Sequence, residues 1–128
     1  MKEQGPRILC IEDDKDTCEL LAVALGQTGY ELVSVGTAAE GLELAKTRAF
    51  DLYLIDNWLP DGLGIDLCKR IRTFDEMTPI VFYSAAASNS DRNAAMDAGA
   101  QAYITKPTDI DELQQVIEGF LKPSTRVH

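Results

Sequence analysis

The sequence contains a single histidine, His128, which is also its last residue. A Ser–His–Asp triad, a Cys–His pair and a histidine-rich zinc site all need histidine within the fold, so these chemistries are excluded. The three cysteines, Cys10, Cys18 and Cys68, form no CxxC pair. We therefore expect reduced thiols that pack as small hydrophobic side chains in a cytoplasmic protein.

Long apolar runs and an excess of basic residues are also missing. No stretch approaches the roughly 20 apolar residues that span a bilayer, and the start "MKEQGPRILC" lacks the apolar core of a signal peptide. Twelve Lys and Arg residues stand against 21 Asp and Glu residues, which gives a net charge of −9. Nucleic acids and anionic membranes attract basic patches, so we expect no direct nucleic-acid contact and no membrane insertion.

Short apolar runs alternate with helical patterns along the whole chain. The 128 residues, 45% of them hydrophobic, suit a single domain over residues 1–128 with a core from about 7 to 121. The predicted strands span residues 7–11, 31–35, 51–55, 79–84 and 102–105. A first helix is predicted between the first two strands, and the helices after it span residues 37–50, 65–74, 88–99 and 109–121. This alternation predicts right-handed βαβ crossovers and a parallel sheet in an α/β fold.

Local signals place the helix ends. Asp16 and Glu19 resemble a capping box for the first helix, which we expect to stop near Gly26, and Thr37 with Glu40 forms a capping box for the second. The last predicted helix carries one apolar stripe, formed by Ile110, Leu113, Ile117, Phe120 and Leu121.

Polar residues gather where the predicted strands end. They are mostly acids, with one hydroxyl and one lysine: Glu12, Asp13, Asp14, Asp56, Ser84 and Lys106. Any one of them also fits a turn or a helix start, but the carboxyl ends of parallel strands meet at one edge of a sheet. Two carboxylates about 4 Å apart repel by about 4 kcal/mol at an effective dielectric near 20. Such a cluster is tolerated when a cation neutralises it or when one acid stays protonated.

The donor atoms at this edge select the cation. They are oxygens only, which favours a hard divalent ion that keeps some of its waters, and Mg²⁺ fits best, with Mn²⁺ tolerated. A magnesium ion beside a lysine and a hydroxyl is a site for a phosphoryl group, which one carboxylate is free to attack.

Four motifs carry a family resemblance. "ILCIEDD", "DLYLIDNWLPDGLG", "VFYSAAAS" and "AYITKP" occur in this order between Arg7 and about Leu121. The chain resembles the receiver domain of two-component response regulators, of the chemotaxis-receiver type. The resemblance implies a flavodoxin-like (βα)5 doubly wound sandwich with five parallel strands in the order 2-1-3-4-5. It also implies a phosphorylatable switch, which is no enzyme beyond catalysing its own phosphorylation and dephosphorylation.

The resemblance assigns roles to the acids. Asp56 would accept a phosphoryl group from a phosphohistidine on a sensor kinase or a phosphotransfer protein. Asp13 and Asp56 would ligate Mg²⁺ directly with the backbone carbonyl of Trp58, while Glu12 would act largely through water.

The resemblance also assigns the residues that would interact with the negative charge of the phosphoryl group. Ser84 would hydrogen-bond the phosphoryl group, and Lys106 would pair with one of its oxygens. Tyr103 would be the switch aromatic that moves inward when Ser84 is drawn toward the phosphate. The peptide bond between Lys106 and Pro107 would be cis.

Three positions depart from the common pattern or tune it. Ser84 stands where many receivers have threonine, which keeps the hydroxyl. Trp58 follows Asp56 by two residues and Ala86 follows Ser84 by two. In the family that the chain resembles, these positions face the water that attacks the acyl phosphate, and neither side chain here would hold that water. We predict that Trp58 shields the acyl phosphate; the alternative is a partly exposed loop aromatic that packs on its neighbours.

Other functions remain open at this point. Because only "KPSTRVH" follows the last predicted helix, we expect a stand-alone receiver, a monomer or weak dimer that binds a downstream protein through its fourth helix, fifth strand and fifth helix. The alternatives are a receiver from a longer regulator or hybrid kinase, or a degenerate receiver that is never phosphorylated and binds constitutively. A magnesium-dependent phosphohydrolase would want a second acid at position 58, where the chain has Trp58.

Overall fold

A computed structural model describes residues 5–107 and 109–121. The strands are β1 (Arg7–Ile11), β2 (Glu31–Val35), β3 (Leu52–Ile55), β4 (Trp58–Leu59), β5 (Gly62–Leu63), β6 (Ile80–Ser84) and β7 (Ala102–Thr105). The helices are α1 (Lys15–Gly26), α2 (Ala38–Thr47), α3 (Gly64–Arg72), α4 (Asn89–Ala98) and α5 (Ile110–Leu121). The segment "KPSTRVH" lies outside the described residues.

Five strands form one parallel sheet in the order β2-β1-β3-β6-β7. Since β6 and β7 are the fourth and fifth predicted strands, the predicted order 2-1-3-4-5 and the α/β flavodoxin-like fold are confirmed. Apolar clusters cover both faces: α2, α3 and α4 pack on one, and α1 and α5 on the other. The central strands β1 and β3 are therefore buried on both sides, as their nearly continuous apolar sequences predict.

The start of α1 differs from its prediction. Its N-cap is Asp14, whose carboxylate accepts hydrogen bonds from the Thr17 amide at 3.0 Å and the Thr17 hydroxyl at 2.5 Å. Asp16 lies inside the first turn, so the Asp16–Glu19 capping box is wrong. An acid there is instead favourable beside the positive end of the helix dipole.

The start of α2 follows its prediction. Thr37 is the N-cap, and its hydroxyl accepts a hydrogen bond from the Glu40 amide at 3.1 Å. The Glu40 carboxylate reaches back to the Gly36 amide at 3.4 Å. The predicted capping box is confirmed, although its return bond goes to the residue before the cap.

The segment predicted as a loop after Asp56 contains a short antiparallel hairpin. Trp58 pairs with Leu63, and Leu59 pairs with Gly62, whose φ is +153°. Two residue pairs are too short to show an alternating pattern, so the sequence does not predict this hairpin. The helix after it starts at Gly64 and ends at Arg72, rather than spanning 65–74.

The apolar stripe of α5 is only partly buried. Leu113 and Ile117 are fully buried against the sheet, and Ile110 and Leu121 pack at the edge of the same cluster. Phe120, the remaining member of the predicted stripe, is 38% exposed.

The described cysteines are all free thiols. Cys10 and Cys68 are buried, and burial raises the pKa of Cys68 to about 11, so both pack as small hydrophobic groups as predicted. Cys18 is half-buried and donates a hydrogen bond to the Glu12 carbonyl at 3.3 Å. Within the described residues, no helix is both long and apolar enough to cross a membrane.

Candidate functional site

The register of the sheet brings the strand exits together. Ile11 lies opposite Ile55 at the ends of β1 and β3, so Glu12 and Asp56 leave the sheet side by side. The Asp56 amide donates to the Ile11 carbonyl at 3.0 Å, and the Lys106 amide donates to the Ser84 carbonyl at 2.8 Å. Both bonds extend the strand pairing by one residue, which fixes the backbone of these polar positions.

Three carboxylates form a compact cluster at this edge. Glu12, Asp13 and Asp56 each contribute one oxygen, and these oxygens all lie within 4.8 Å of one another. Glu12 is 4% exposed and Asp56 is 8% exposed, whereas Asp13 faces solvent. An ion coordinated at about 2.1 Å spans ligand pairs up to about 4.2 Å apart, and a ligand that acts through water extends this reach. The three carboxylates could therefore hold a divalent cation.

Lys106 is the cation that faces these acids. Its Nζ lies 2.7 Å from Glu12 Oε1 and 3.9 Å from Asp56 Oδ2. Burial raises the pKa of Glu12 against the lowering effect of the hydrogen bond from Lys106. Burial alone would lower the pKa of Lys106, but the hydrogen bond with Glu12 and the charge of Asp56 raise it above its ordinary value. Lys106 is thus a charged donor held beside Asp56.

The hairpin after Asp56 is fixed at its base by Asn57. This residue is 2% exposed; its carbonyl accepts from the Gly64 amide at 2.6 Å and its side chain accepts from the Ile65 amide at 3.1 Å. A Cβ added at Gly64 would come within 2.4 Å of the Asp56 carbonyl oxygen, so only glycine fits there. The Trp58 side chain is 57% exposed.

Ser84 and Tyr103 meet at Ala86. Ser84 is fully buried, and its hydroxyl accepts a hydrogen bond from the Ala86 amide at 3.2 Å. The Tyr103 hydroxyl donates to the Ala86 carbonyl at 2.5 Å, and its ring stacks on Phe82 with centroids 5.6 Å apart. Tyr103 is 8% exposed. The Tyr103 ring is therefore turned inward in this structure.

Arg92 on α4 holds that aromatic from the other side. Its guanidinium carbon lies 5.6 Å from the centre of the Tyr103 ring, and it donates to the Tyr103 carbonyl at 3.4 Å and to the Thr105 hydroxyl at 2.9 Å. Sequence alone does not indicate this role for Arg92, because an arginine in a polar helix is usually solvated. The Lys106–Pro107 peptide bond is cis.

Sequence and structure comparisons connect this site to known proteins. The model of the response regulator receiver domain family matches residues 8–118. The chain is 37% identical over 107 residues to the transcriptional regulatory protein DltR of Streptococcus agalactiae, which covers 84% of the chain and 48% of DltR. The chain spans about half the length of the curated relatives it matches.

Solved receiver domains share the fold over nearly their whole length. The non-phosphorylated HemR receiver domain of Leptospira biflexa is 35% identical, with a TM-score of 0.86, 96% of this chain covered and 98% of that one. The receiver domain of sensor histidine kinase PA1611 of Pseudomonas aeruginosa, with magnesium coordinated in its active-site cleft, is 27% identical, with a TM-score of 0.84, 91% of this chain covered and 98% of that one. The chain belongs to the response regulator receiver domain family.

Proposed function

We propose that this domain is a phosphorylatable switch of a two-component or phosphorelay system, and that Asp56 accepts the phosphoryl group. One arrangement carries the assignment: Asp56 lies within 4.8 Å of two further acids and 3.9 Å from the Lys106 ammonium, which is hydrogen-bonded to Glu12 at 2.7 Å and not to Asp56. The acids supply ligands for a metal, and the lysine supplies a donor for a phosphoryl oxygen. This arrangement supports Asp56 as the acid that attacks the phosphoryl group.

Oxygen donors at the edge of the sheet support a magnesium site. Asp13, Asp56 and the Trp58 backbone carbonyl would bind Mg²⁺ directly and Glu12 through water, and the same donors would tolerate Mn²⁺. Bound there, the ion would neutralise the repulsion between carboxylate and phosphoryl group and orient them. Lys106 would stabilise the phosphoryl oxygens, because its ion pair with Glu12 holds its ammonium beside Asp56.

The hydrogen bonds at Ala86 support a mechanism by which phosphorylation of Asp56 would change the surface formed by α4 and β7. An acyl phosphate adds roughly 1.5–2 negative charges, and Ser84 would turn its hydroxyl toward them. That movement acts on the Ala86 amide, and the Ala86 carbonyl is the acceptor of the Tyr103 hydroxyl. The phosphoryl group would thereby bias the packing of α4 against β7 between two arrangements.

Family membership supports the choice of partners. The donor would be a phosphohistidine on a histidine kinase or a histidine phosphotransfer protein. The downstream protein would bind the face formed by α4, β7 and α5, and the chain would be a cytoplasmic monomer or weak dimer with residues 1–128 as one receiver domain. The net charge of −9 supports a domain that makes no nucleic-acid contact of its own.

Intact-mass spectrometry tests the phosphoacceptor. We expect one phosphoryl adduct when the protein is incubated with Mg²⁺ and a small acyl-phosphate donor. The adduct should vanish with EDTA and in the Asp56→Asn variant, which keeps the size of the side chain but removes the nucleophilic oxygen. An Asp51→Asn variant, altered at an exposed acid just before β3, should be phosphorylated like the wild type.

The alternative outcome is equally specific. A wild-type protein that binds Mg²⁺ but gains no adduct from several donors would be a degenerate receiver with a constitutive binding role. An adduct that persists in Asp56→Asn would place the acceptor elsewhere.

We also predict that Trp58 slows the loss of the phosphoryl group. Its indole is 57% exposed two residues after Asp56 and has no hydrogen-bond acceptor to orient an attacking water, whereas an asparagine amide there would orient one. Asp56 phosphate should therefore hydrolyse several-fold faster in Trp58→Asn, measured by the decay of the adduct after the donor is removed. Leu63→Asn, which changes the exposed cross-strand partner of Trp58, is the control and should decay at the wild-type rate. Equal or slower decay in Trp58→Asn would contradict the prediction.

A further inference from the structure

The tip of the hairpin is tied to a neighbouring helix by one side chain. Asp61 lies in the connection between β4 and β5, and its two carboxylate oxygens accept hydrogen bonds from the first two amides of α2. The Ala38 amide donates to Oδ1 at 2.7 Å, and the Ala39 amide donates to Oδ2 at 3.0 Å. These bonds hold the pKa of Asp61 below its ordinary value. Asp61 is therefore an N-terminal cap supplied to α2 from a distant part of the chain.

This cap does not duplicate the one that α2 has of its own. The Thr37 hydroxyl accepts from the Glu40 amide, whereas Asp61 accepts from the Ala38 and Ala39 amides. Each of the first three amides of α2 thus has a partner, and Asp61 provides two of these partners. Removing Thr37 and removing Asp61 would both weaken the start of α2, but only the loss of Asp61 would release the hairpin.

The hairpin has one buried apolar side chain, Leu59, which is 8% exposed and packs in the core cluster. Two residue pairs form a marginal β-structure on their own. Behind it lies a cleft of about 250 Å³, lined by Leu42 of α2, Leu63 of β5 and Leu67 of α3, so side chains do not fill the space between hairpin and helices. The base is fixed by Asn57, and the tip is fixed by Asp61. The backbone of Trp58 lies between Asn57 and the buried Leu59, and Asp61 fixes the turn that follows these residues.

We propose that Asp61 is a positioning residue for magnesium: it holds the hairpin so that the Trp58 carbonyl stays at the ligand position. The inference rests on the proposed function, in which that carbonyl completes the metal site. Asp61 touches neither the metal nor the phosphoryl group. Its contribution is to limit the backbone positions that Trp58 samples before the ion binds, which lowers the ordering cost of binding.

The expected effect is on magnesium affinity more than on the chemical step. Losing an outer partner of a metal ligand typically weakens metal binding about 10- to 100-fold, and a ligand held through the backbone at both sides should lose less. We expect Asp61→Ala to raise the magnesium Kd about 3- to 10-fold. Asp61→Asn keeps one acceptor oxygen and should fall between the wild type and Asp61→Ala.

Calorimetric titration with Mg²⁺ alone measures the Kd directly. Phosphorylation by an acyl-phosphate donor across a magnesium series gives a second readout. In Asp61→Ala the rate should need more Mg²⁺ but reach the wild-type value at saturation. Thr37→Ala is the matched control, because it weakens the same helix start; its melting temperature should fall while its Kd stays within about twofold of the wild type.

The outcomes separate the two proposals. A wild type that binds Mg²⁺ beside an Asp61→Ala variant with unchanged Kd overturns the inference alone. An equal rise in Kd in Thr37→Ala also overturns it, because the effect would then come from α2. A wild type that binds no Mg²⁺ contradicts the proposed function itself. If Asp61→Ala fails to fold, Asp61→Asn against Thr37→Ala gives the same comparison.

Discussion

Asp13→Asn is expected to bind Mg²⁺ at least about 10-fold more weakly than the wild type, while its metal-free form is more stable. The two effects have one cause. Without metal, the Glu12, Asp13 and Asp56 carboxylates face each other within 4.8 Å, and Lys106 supplies one positive charge against three negative ones. The arrangement that suits a divalent ion is strained when the ion is removed, so stability and function oppose each other here.

The size of the stability gain follows from exposure. Two charges about 4 Å apart interact by about 4 kcal/mol at an effective dielectric near 20, but Asp13 faces solvent, which screens most of this repulsion. We expect a gain near 1 kcal/mol in the free energy of unfolding, or about 3–5 °C in melting temperature for a domain of this size. Thermal unfolding in EDTA measures the gain, and titration with Mg²⁺ measures the lost affinity.

Asp16→Asn is the control for Asp13→Asn. Asp16 is another exposed acid three residues away, in the first turn of α1, where its charge interacts favourably with the helix dipole. Its neutralisation should lower stability slightly and leave magnesium affinity unchanged. A melting temperature that falls in Asp13→Asn as it does in Asp16→Asn would contradict the repulsion argument.

The parts of the site that follow strands were predictable from sequence. In a parallel sheet the residues at the end of each strand lie at the carboxyl edge. The same edge must therefore hold Glu12, Asp56, Ser84 and Lys106. Their grouping needed no knowledge of side-chain contacts. The Thr37 cap was predictable for the same reason, because its bonds lie within four consecutive residues.

The parts that depend on contacts between distant elements were not predictable. Asp61 caps a helix that begins 23 residues earlier, and nothing in its own sequence neighbourhood specifies this partner. Arg92 on α4 likewise donates a hydrogen bond to a residue of another element, the Thr105 hydroxyl in β7, which lies 13 residues away in sequence. "PDG" before a helix is a turn signal, but a hairpin of two residue pairs is too short for an alternating pattern. The N-cap of α1 is Asp14 and not the predicted Asp16. Both residues suit a helix start, and only the position of the first turn decides between them.

Lys106→Met is expected to destabilise the metal-free protein, and to do so more at pH 8 than at pH 5. The ammonium lies 2.7 Å from a Glu12 carboxylate that is 4% exposed, and the Lys106 side chain is 19% exposed. Breaking a buried pair by removing one partner typically costs about 3–5 kcal/mol, because the remaining charge is left without compensation. Since Lys106 keeps some contact with water, we expect the free energy of unfolding to fall by only about 2 kcal/mol at pH 8.

The pH dependence has a definite sign. Burial raises the pKa of Glu12, and the hydrogen bond from Lys106 partly offsets this. Without Lys106 the pKa of Glu12 rises further, so the folded protein holds the proton above the ordinary glutamate pKa of 4.5, where the unfolded chain has released it. Stability of the variant therefore falls as the pH rises from about 4.5 through the folded pKa. Lys106 has a raised pKa in the wild type and stays charged throughout this range, so the wild type lacks the added slope.

Urea denaturation in EDTA at pH 5, 6, 7 and 8 measures the difference. Lys69→Met, at an exposed lysine of α3, is the control for lost positive charge and should change stability little at any of these pH values. The double variant Glu12→Gln/Lys106→Met removes both charges, so it should recover part of the lost stability and lose the pH dependence. With saturating Mg²⁺, Lys106→Met should also accept a phosphoryl group about 10- to 100-fold more slowly, because the donor to the phosphoryl oxygens is gone. A loss of stability that is equal at pH 5 and pH 8 would mean that Glu12 is not the group that Lys106 compensates.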